Sequence, residues 1–338
     1  MLSQPSATLS FLEASTGEYR IIDVRSPKEF LEGSLPGAVN IPIFDNDERE
    51  LVGTIYRQGG REVAIETGFD LVEPRLAGLL AGFEEYRREN IALFCARGGM
   101  RSRSVVNLLV QHGFSAWQLE GGYKAYRQHL LGILENFSPR CIVLHGLTGT
   151  GKTRILQHLE PRIDLEDLAQ HQSSLFGGMN RQPRSQRAFD SHLYQVIASL
   201  GEEPCFIEGE SRQLGKIYLP AGLARAMKEG YLVLITASLE TRVKRIVEDY
   251  PVEDEETAAQ VLKILGSLKR NLGGPVTDTL CGLLRQGRLA ELVRILLVEY
   301  YDRRYENNLS RYSYRLEVSS EDIGEAAAAL REFRGTVK

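Results

Sequence analysis

Apolar residues in this chain come in short runs that end at polar or glycine-rich turns, each followed by a stretch with apolar positions three and four apart. The first run, Tyr19 to Val24, carries Asp23 near its end and leads through Arg25 to Pro27 and a Glu-containing segment, which predicts a buried strand, a turn and a helix. Ile91 to Phe94 repeats the pattern. It runs straight into Cys95-Ala-Arg-Gly-Gly-Met-Arg101, after which Ser102 to Gln111 has helical spacing and stops at Gly113. Phe114 to Leu119 predicts another strand, punctuated by Gly121-Gly122 before a helix that fades near Asn136. Strands alternating with helices predict a parallel sheet covered on both faces.

Phe137-Ser-Pro-Arg140 is the best linker, because Pro139 stops the preceding helix and a new apolar run, Cys141 to His145, begins directly after it. Further strands are expected at Pro204 to Glu208, Tyr231 to Thr236 and Tyr314 to Val318. The stretch from Leu239 to Tyr305 is too long and too helical for a simple crossover, and predicts a helical subdomain or lid. A chain of 338 residues exceeds what one core serves, so the reading is two α/β domains, 1–137 and 138–338.

Composition narrows the setting. No apolar run is long enough to cross a bilayer, and Met1 to Thr16 lack the pattern of a secretion signal, so residence in the cytosol is expected. Cys95, Cys141, Cys205 and Cys281 have neither metal-ligand spacing nor disulfide-scaffold density, which predicts free thiols. The net charge of -4 argues against indiscriminate nucleic-acid binding, so an RNA partner must meet a local basic patch.

Two loops carry chemistry. Cys95 stands at the C-terminal end of a strand in a loop that opens a helix, where backbone N–H groups and the helix dipole favour a thiolate. Gly98 and Gly99 let the loop curl, and Arg97 and Arg101 add positive charge. Such a cradle suits an oxyanion, or a persulfide or selenide on the Cys95 sulfur. The other three cysteines lack these surroundings and read as core residues.

The second loop, Gly146-Leu-Thr-Gly-Thr-Gly-Lys152-Thr153, fits the phosphate-loop pattern in full, with a strand before it and the helical Lys152 to Leu159 after it. The glycines Gly146, Gly149 and Gly151 let the main chain wrap a phosphate, and the N–H groups from Thr148 through Thr150 to Thr153 are expected to point inward. Lys152 neutralises charge, and Thr153 can hold Mg²⁺. Glu208 or Glu210, at the end of the next apolar strand, is a candidate second acid for a metal or a water, though Asp is the usual residue there. No metal ligand is assigned with certainty.

The first domain resembles a rhodanese: Ile21-Ile-Asp-Val-Arg25, Glu29-Phe30, the run from Gly33 to Pro42, and the thiol loop. The resemblance implies that Asp23 and Arg25 are structural and that Cys95 carries sulfur. Where ordinary single-domain rhodaneses have Arg five residues after the cysteine, Met100 stands, with Arg101 next. That wider loop also occurs in rhodanese-fold phosphatases, which would use Cys95 as nucleophile and Arg101 as clamp.

The order of the two domains is similar to that of the tRNA 2-selenouridine synthase family. The more distinctive pieces are Val52 to Gln58, Cys95 to Ser102, the phosphate loop, Ser174 to Gly177 with Gln182-Pro183 and Gln186, Ile207 to Arg212, Leu272-Gly-Gly274 and Leu297 to Asp302. The resemblance implies a rhodanese-like parallel-sheet domain followed by a P-loop NTPase-like α/β domain with a helical subdomain. It also implies an enzyme that replaces sulfur of a wobble 2-thiouridine by selenium through an S-geranyl intermediate, using geranyl diphosphate and selenophosphate. Ala96 replaces a common aromatic, and Pro275 follows the double glycine, which touches a pocket wall and a substrate loop. Partners implied are tRNA and, optionally, a protein supplying selenophosphate. Oligomeric state is left unspecified.

For tRNA contact the candidates are Arg101 and Arg103, then Arg181, Arg184 and Arg187, then Lys269, Arg270, Arg303 and Arg304, with Tyr300, Tyr301 and Tyr305 for stacking. Two rival readings stand beside this one: a P-loop kinase or phosphatase fused to a sulfurtransferase domain, and a non-catalytic tRNA-binding protein in which Cys95 senses redox state.

Overall fold

The computed structural model describes residues 8–171, 176, 182–209, 211–304 and 309–337. The chain divides into two compact units, residues 1–134 with 185–195, and residues 135–184 with 196–338.

The first unit is built on five parallel strands, β1 (Thr8–Leu9), β2 (Tyr19–Asp23), β3 (Val39–Asn40), β4 (Asn90–Phe94) and β5 (Ala116–Leu119), in the order β1-β5-β4-β2-β3. β4 lies mid-sheet and buries every residue from Ile91 to Phe94, as expected of a strand covered on both faces. Ile22, Val24, Phe83, Ile91, Leu93, Val105, Val106 and Leu109 form the core around it. With its side chains committed to packing, the strand can offer reactive groups only from the loop at its C-terminal end.

Local signals start the helices. Ser26 and Glu29 form a capping box with Pro27 at the first turn of Pro27–Leu31, and Asp45 with Glu48 does the same for Asn46–Val72. The latter helix kinks at Gly60, whose φ of +84° takes it out of helical geometry.

In the second unit, β6 (Cys141–His145), β7 (Arg162–Ile163), β8 (Cys205–Glu208), β11 (Tyr231–Thr236) and β12 (Leu316–Ser319) form a parallel sheet in the order β12-β11-β6-β8-β7, while β9 (Gln213–Leu214) and β10 (Ile217–Tyr218) make a separate hairpin. Ile142, Leu144, Phe206, Val233 and Ile235 are buried in its core. The expected helical stretch resolves into Leu239–Asp249, Glu255–Ser267, Lys269–Leu272, Gly274–Arg285 and Leu289–Leu296, followed by a π-helical turn, Leu297–Asp302. These helices have their own core, centred on Leu265, Leu280, Leu292, Leu296 and Leu297. Pro275 belongs to no loop here: it sits in the first turn of Gly274–Arg285, where its missing N–H costs nothing.

Strand ends differ from the sequence reading by one or two residues. The helix after the phosphate loop ends at Leu156 rather than Leu159, ahead of the turn that carries Pro161. Among the described residues no helix is long and apolar enough to cross a membrane.

Candidate functional site

Cys95 leaves β4 and enters a loop closed by the N-terminus of Met100–Gln111, with Gly99 at the cap. It is 3% exposed and packs with the core around β4, and it also forms part of the wall of a cavity of about 1190 Å³. Gly99 N–H donates to Cys95 Sγ at 3.2 Å and the Ser102 hydroxyl at 3.3 Å. Gln118 on β5 in turn donates to Ser102 Oγ at 2.9 Å and to Gly99 O at 3.0 Å, which fixes both donors. Burial pushes the Cys95 thiol up. The hydrogen bonds from Ser102 and the backbone N–H groups of Arg97 and Ser102, with the charge of Arg101, outweigh it and hold the thiol below the ordinary cysteine value.

The loop is held from behind by the start of Gly122–Asn136. Tyr123 N–H donates to Cys95 O at 2.9 Å and Lys124 N–H to Ala96 O at 3.0 Å. Gly122 has φ +55°, and a Cβ there would overlap Cys95 O and Gly98 N. Gly98 faces this contact, with Gly121 N and Leu119 O 2.8 Å from where its own Cβ would stand, so it serves the loop's packing rather than the cavity wall.

Arg101 is paired: its guanidinium meets Glu29 at 2.7 and 3.3 Å, with Arg49 on the same carboxylate at 3.3 Å. Arg97 is exposed at the cavity rim. Asp23 and Arg25 are buried together at 2.6 Å, with Ser34 on Asp23 and the Tyr123 ring 3.9 Å from the guanidinium, which makes them a brace under the loop.

In the second unit the phosphate loop joins β6 to Lys152–Leu156. Lys152 Nζ donates to Gly146 O at 2.9 Å and Leu147 O at 3.3 Å. Gly146, Thr148, Gly149, Gly151, Lys152 and Thr153 line a cavity of about 410 Å³, with Glu208 and Glu166 in its wall. Thr150 corrects the expectation that every amide from Thr148 to Thr153 faces a ligand. Its side chain is 2% exposed and both its N–H and its hydroxyl donate to Leu147 O, at 3.3 and 2.9 Å, so it holds the loop's curl from inside. Much of the remaining wall is apolar, with Val252, Val261, Leu284, Leu292, Leu296, Leu297 and Tyr301, while Arg154, Ser211 and Asp249 add polar groups to it.

Two arginines brace this loop from outside, and neither is signalled by the sequence. Arg242 Nε donates to Thr148 O at 2.8 Å, and Arg245 donates to Thr150 O at 3.0 Å and to Ser320. Arg242 is held by Asp302, the last residue of the distinctive Leu297 to Asp302 segment. His145, at the end of β6, shares a hydrogen bond with Tyr314 OH at 3.2 Å and packs edge-on to Tyr312. Burial, aided by Lys152, lowers its pKa to about 4.

The residues expected to contact RNA fall in unlike surroundings. Arg103, Lys269 and Arg270 are exposed. Arg184 is tied to the carbonyls of Asp167 and Leu168 at 2.7 and 3.0 Å, and Arg187 pairs with Glu32 at 2.9 Å. Arg303 pairs with Glu299 at 2.6 Å, and Arg304 stacks on Tyr300. Tyr301 is buried in the wall of the phosphate-loop cavity and is not free to stack on RNA. Arg181, Glu210 and Tyr305 lie outside the described residues, as do Ser174, Leu175 and Gly177. Cys141 and Cys205 are core residues on adjacent strands with sulfurs 3.9 Å apart, and Cys281 is half-buried against the helical core. Among the described residues no group of three or more His, Cys, Asp or Glu could hold a metal ion.

These two loops sit in regions that match known families. The model of the tRNA 2-selenouridine synthase AAA domain matches residues 139–334, and that of the rhodanese-like domain matches residues 10–129. A tRNA 2-selenouridine synthase of Pseudomonas syringae pv. syringae is 34% identical over 346 residues, covering 92% of this chain and 94% of that one. The same-named protein of Hydrogenovibrio crunogenus is 33% identical over 334 residues, covering 88% and 91%. That of Nitrosomonas europaea is 38% identical over 265 residues, covering 73% and 68%. With a buried, hydrogen-bonded cysteine after one parallel sheet and a full phosphate loop after another, and relatives aligned along nearly its whole length, this chain belongs to the tRNA 2-selenouridine synthase family.

Proposed function

We propose that this enzyme converts the 2-thiouridine of a tRNA to 2-selenouridine in two steps, each served by one of the two loops. In the first, the thiouridine sulfur attacks C1 of geranyl diphosphate. A C–S bond forms, the C–O bond breaks, diphosphate leaves with the electron pair, and N3 of the base gives up its proton. In the second, selenium from selenophosphate adds to C2 and geranylthiol leaves. Water cleaves the P–Se bond to phosphate and supplies the protons of the thiol and of N3.

The observation that carries this reading is the character of the phosphate-loop cavity. Lys152 and the loop give the cavity an anion site, and Leu284, Leu292, Leu296 and Leu297 are among the apolar side chains that line it. A nucleotide would ask for polar partners around its base and ribose, whereas an isoprenoid diphosphate asks for this pairing of anion cradle and hydrocarbon wall. Thr153 and Glu208 both line the cavity and are the oxygen donors that Mg²⁺ would meet beside a diphosphate, where the ion would neutralise leaving-group charge. The Cys95 loop, with its inward N–H and O–H donors, suits the anionic selenium donor of the second step. The setting is proposed to be the cytosol, where tRNA is found.

Nucleoside mass spectrometry of tRNA tests the assignment. Cells carrying Lys152→Ala are expected to lack both geranylated thiouridine and selenouridine, and cells carrying Cys95→Ser to lack selenouridine; normal selenouridine in both strains refutes it.

A further inference from the structure

The cavity beside Cys95 has no place in a simple sulfur or selenium carrier, because a chalcogen anion needs donors and not hydrocarbon. Its walls are the kinked helix Asn46–Val72 on one side and the start of Met100–Gln111 on the other. Val52, Tyr56, Ile65 and Phe69 from the first helix line it together with Val105 and Leu108 from the second. Tyr56 and Phe69 are each 59% exposed, an unusual cost in water for one cavity wall unless something apolar covers them. The rim is basic: Arg57, Arg61 and Arg97 are exposed there, beside the paired Arg49 and Arg101, against two acids, Glu50 and Glu73. Arg61 lies over the Met100 sulfur at 3.8 Å, at the mouth next to the thiol loop.

An apolar trough with a nucleophile-stabilising loop in its wall and guanidinium groups at its edge fits one kind of occupant, a hydrocarbon chain attached to a polyanion. We propose that this cavity is a second isoprenoid site, which takes the ten-carbon chain of the S-geranylated base while the basic rim meets the RNA phosphates. This rests on the two-step reading above and adds to it a place for the alkyl group during the selenium step. As selenium bonds to C2 and the C2–S bond breaks, the sulfur leaves with the electron pair as geranylthiolate, takes a proton from water, and stays in the trough. The chain then acts as a handle that sets C2 of the base against the Cys95 loop, and an alkylated base is selected over a plain one by the burial of its hydrocarbon.

The test uses the full-length enzyme with selenophosphate and two anticodon stem-loop RNAs, one bearing S-geranyl-2-thiouridine and one S-methyl-2-thiouridine. Wild-type kcat/KM is expected to favour the geranyl RNA by about ten-fold or more, since even single methylenes in apolar pockets give discrimination of that order. Val52→Trp, which fills the trough, and Phe69→Glu, which makes its exposed wall polar, are each expected to cut that preference about ten-fold. Equal wild-type use of both RNAs overturns the site, while the two-step route survives. An unchanged preference in both variants also overturns it. Selenation of plain thiouridine RNA with none of the geranylated RNA overturns the two-step reading itself. Should a variant fail to fold, Tyr56→Ser at an exposed position of the wall stands in for it and is expected to lower the same preference, an unchanged preference there overturning the site.

Discussion

Arg242 and Asp302 meet as a two-pronged pair, 2.6 and 3.1 Å apart, with the remaining Nε–H of the guanidinium donated to Thr148 O in the phosphate loop. The pair is almost wholly buried, at 5% and 14% side-chain exposure. It joins the π-helical turn, whose Leu297 and Tyr301 line the cavity, to the backbone that would cradle an anion.

Removing one partner exposes the cost of the other. Asp302→Ala leaves a buried guanidinium with one acceptor, and the expected loss is roughly 3–5 kcal/mol. Urea unfolding, monitored by circular dichroism, reads it. The double change Arg242→Met with Asp302→Leu should recover much of that stability, because well-packed apolar side chains replace buried ion pairs at little cost, yet it should not recover affinity for pyrophosphate.

The apolar lining can be tested apart from the anion site. Val293 lines the cavity and is half-buried. Val293→Trp should raise KM for geranyl diphosphate about ten-fold or more while inorganic pyrophosphate inhibits as before. Equal weakening of both ligands would mean that the loop and not the chain site had been disturbed.

His145 makes stability depend on pH. Its folded-state pKa is pushed down to about 4 from the ordinary 6.5, first by burial and then by Lys152. The unfolded chain therefore takes up the proton first as pH falls, and stability drops between pH 6.5 and 4 and is flat above that window with respect to this group. Unfolding midpoints measured across the window should fall less steeply for His145→Gln.

Ser102 sets the reactivity of the thiol. In Ser102→Ala one of the donors that hold the Cys95 pKa down is gone. Thiolate absorbance against pH should shift to higher pH, and alkylation at neutral pH should slow, with Cys95→Ser as the blank.

Gly122 guards the back of the same loop. Gly122→Ala places a methyl on Cys95 O at a positive φ, so the loop must move at a cost of roughly 1–3 kcal/mol. Trp117, the single tryptophan, lies on β5 in that unit and reports its unfolding by fluorescence.

Much of the fold is legible in the sequence because its signals are local. The runs at Cys141 to His145 and Tyr231 to Thr236 are strands at the expected residues, and the two loops stand between the expected strand and helix. Strands of two residues, such as Val39–Asn40 and Arg162–Ile163, are too short to show a period of two. The arginines escape for another reason. Arg242, Arg245 and Arg184 look like surface charge in a linear reading, and only the folded chain reveals that each donates to a backbone carbonyl of another segment, with Arg242 also paired to Asp302. Tyr301 is a similar case, since an aromatic that completes a cavity wall and one that stacks on a base share the same letters around them.

Residues 185–195 group with the first unit although they lie within the second stretch of sequence. During synthesis the first unit therefore waits for its last piece until the phosphate loop has already left the ribosome. A gene cut at Phe137 would encode a first unit with a strip missing. The chain thus passes from one unit to the other three times, after residues 134, 184 and 195.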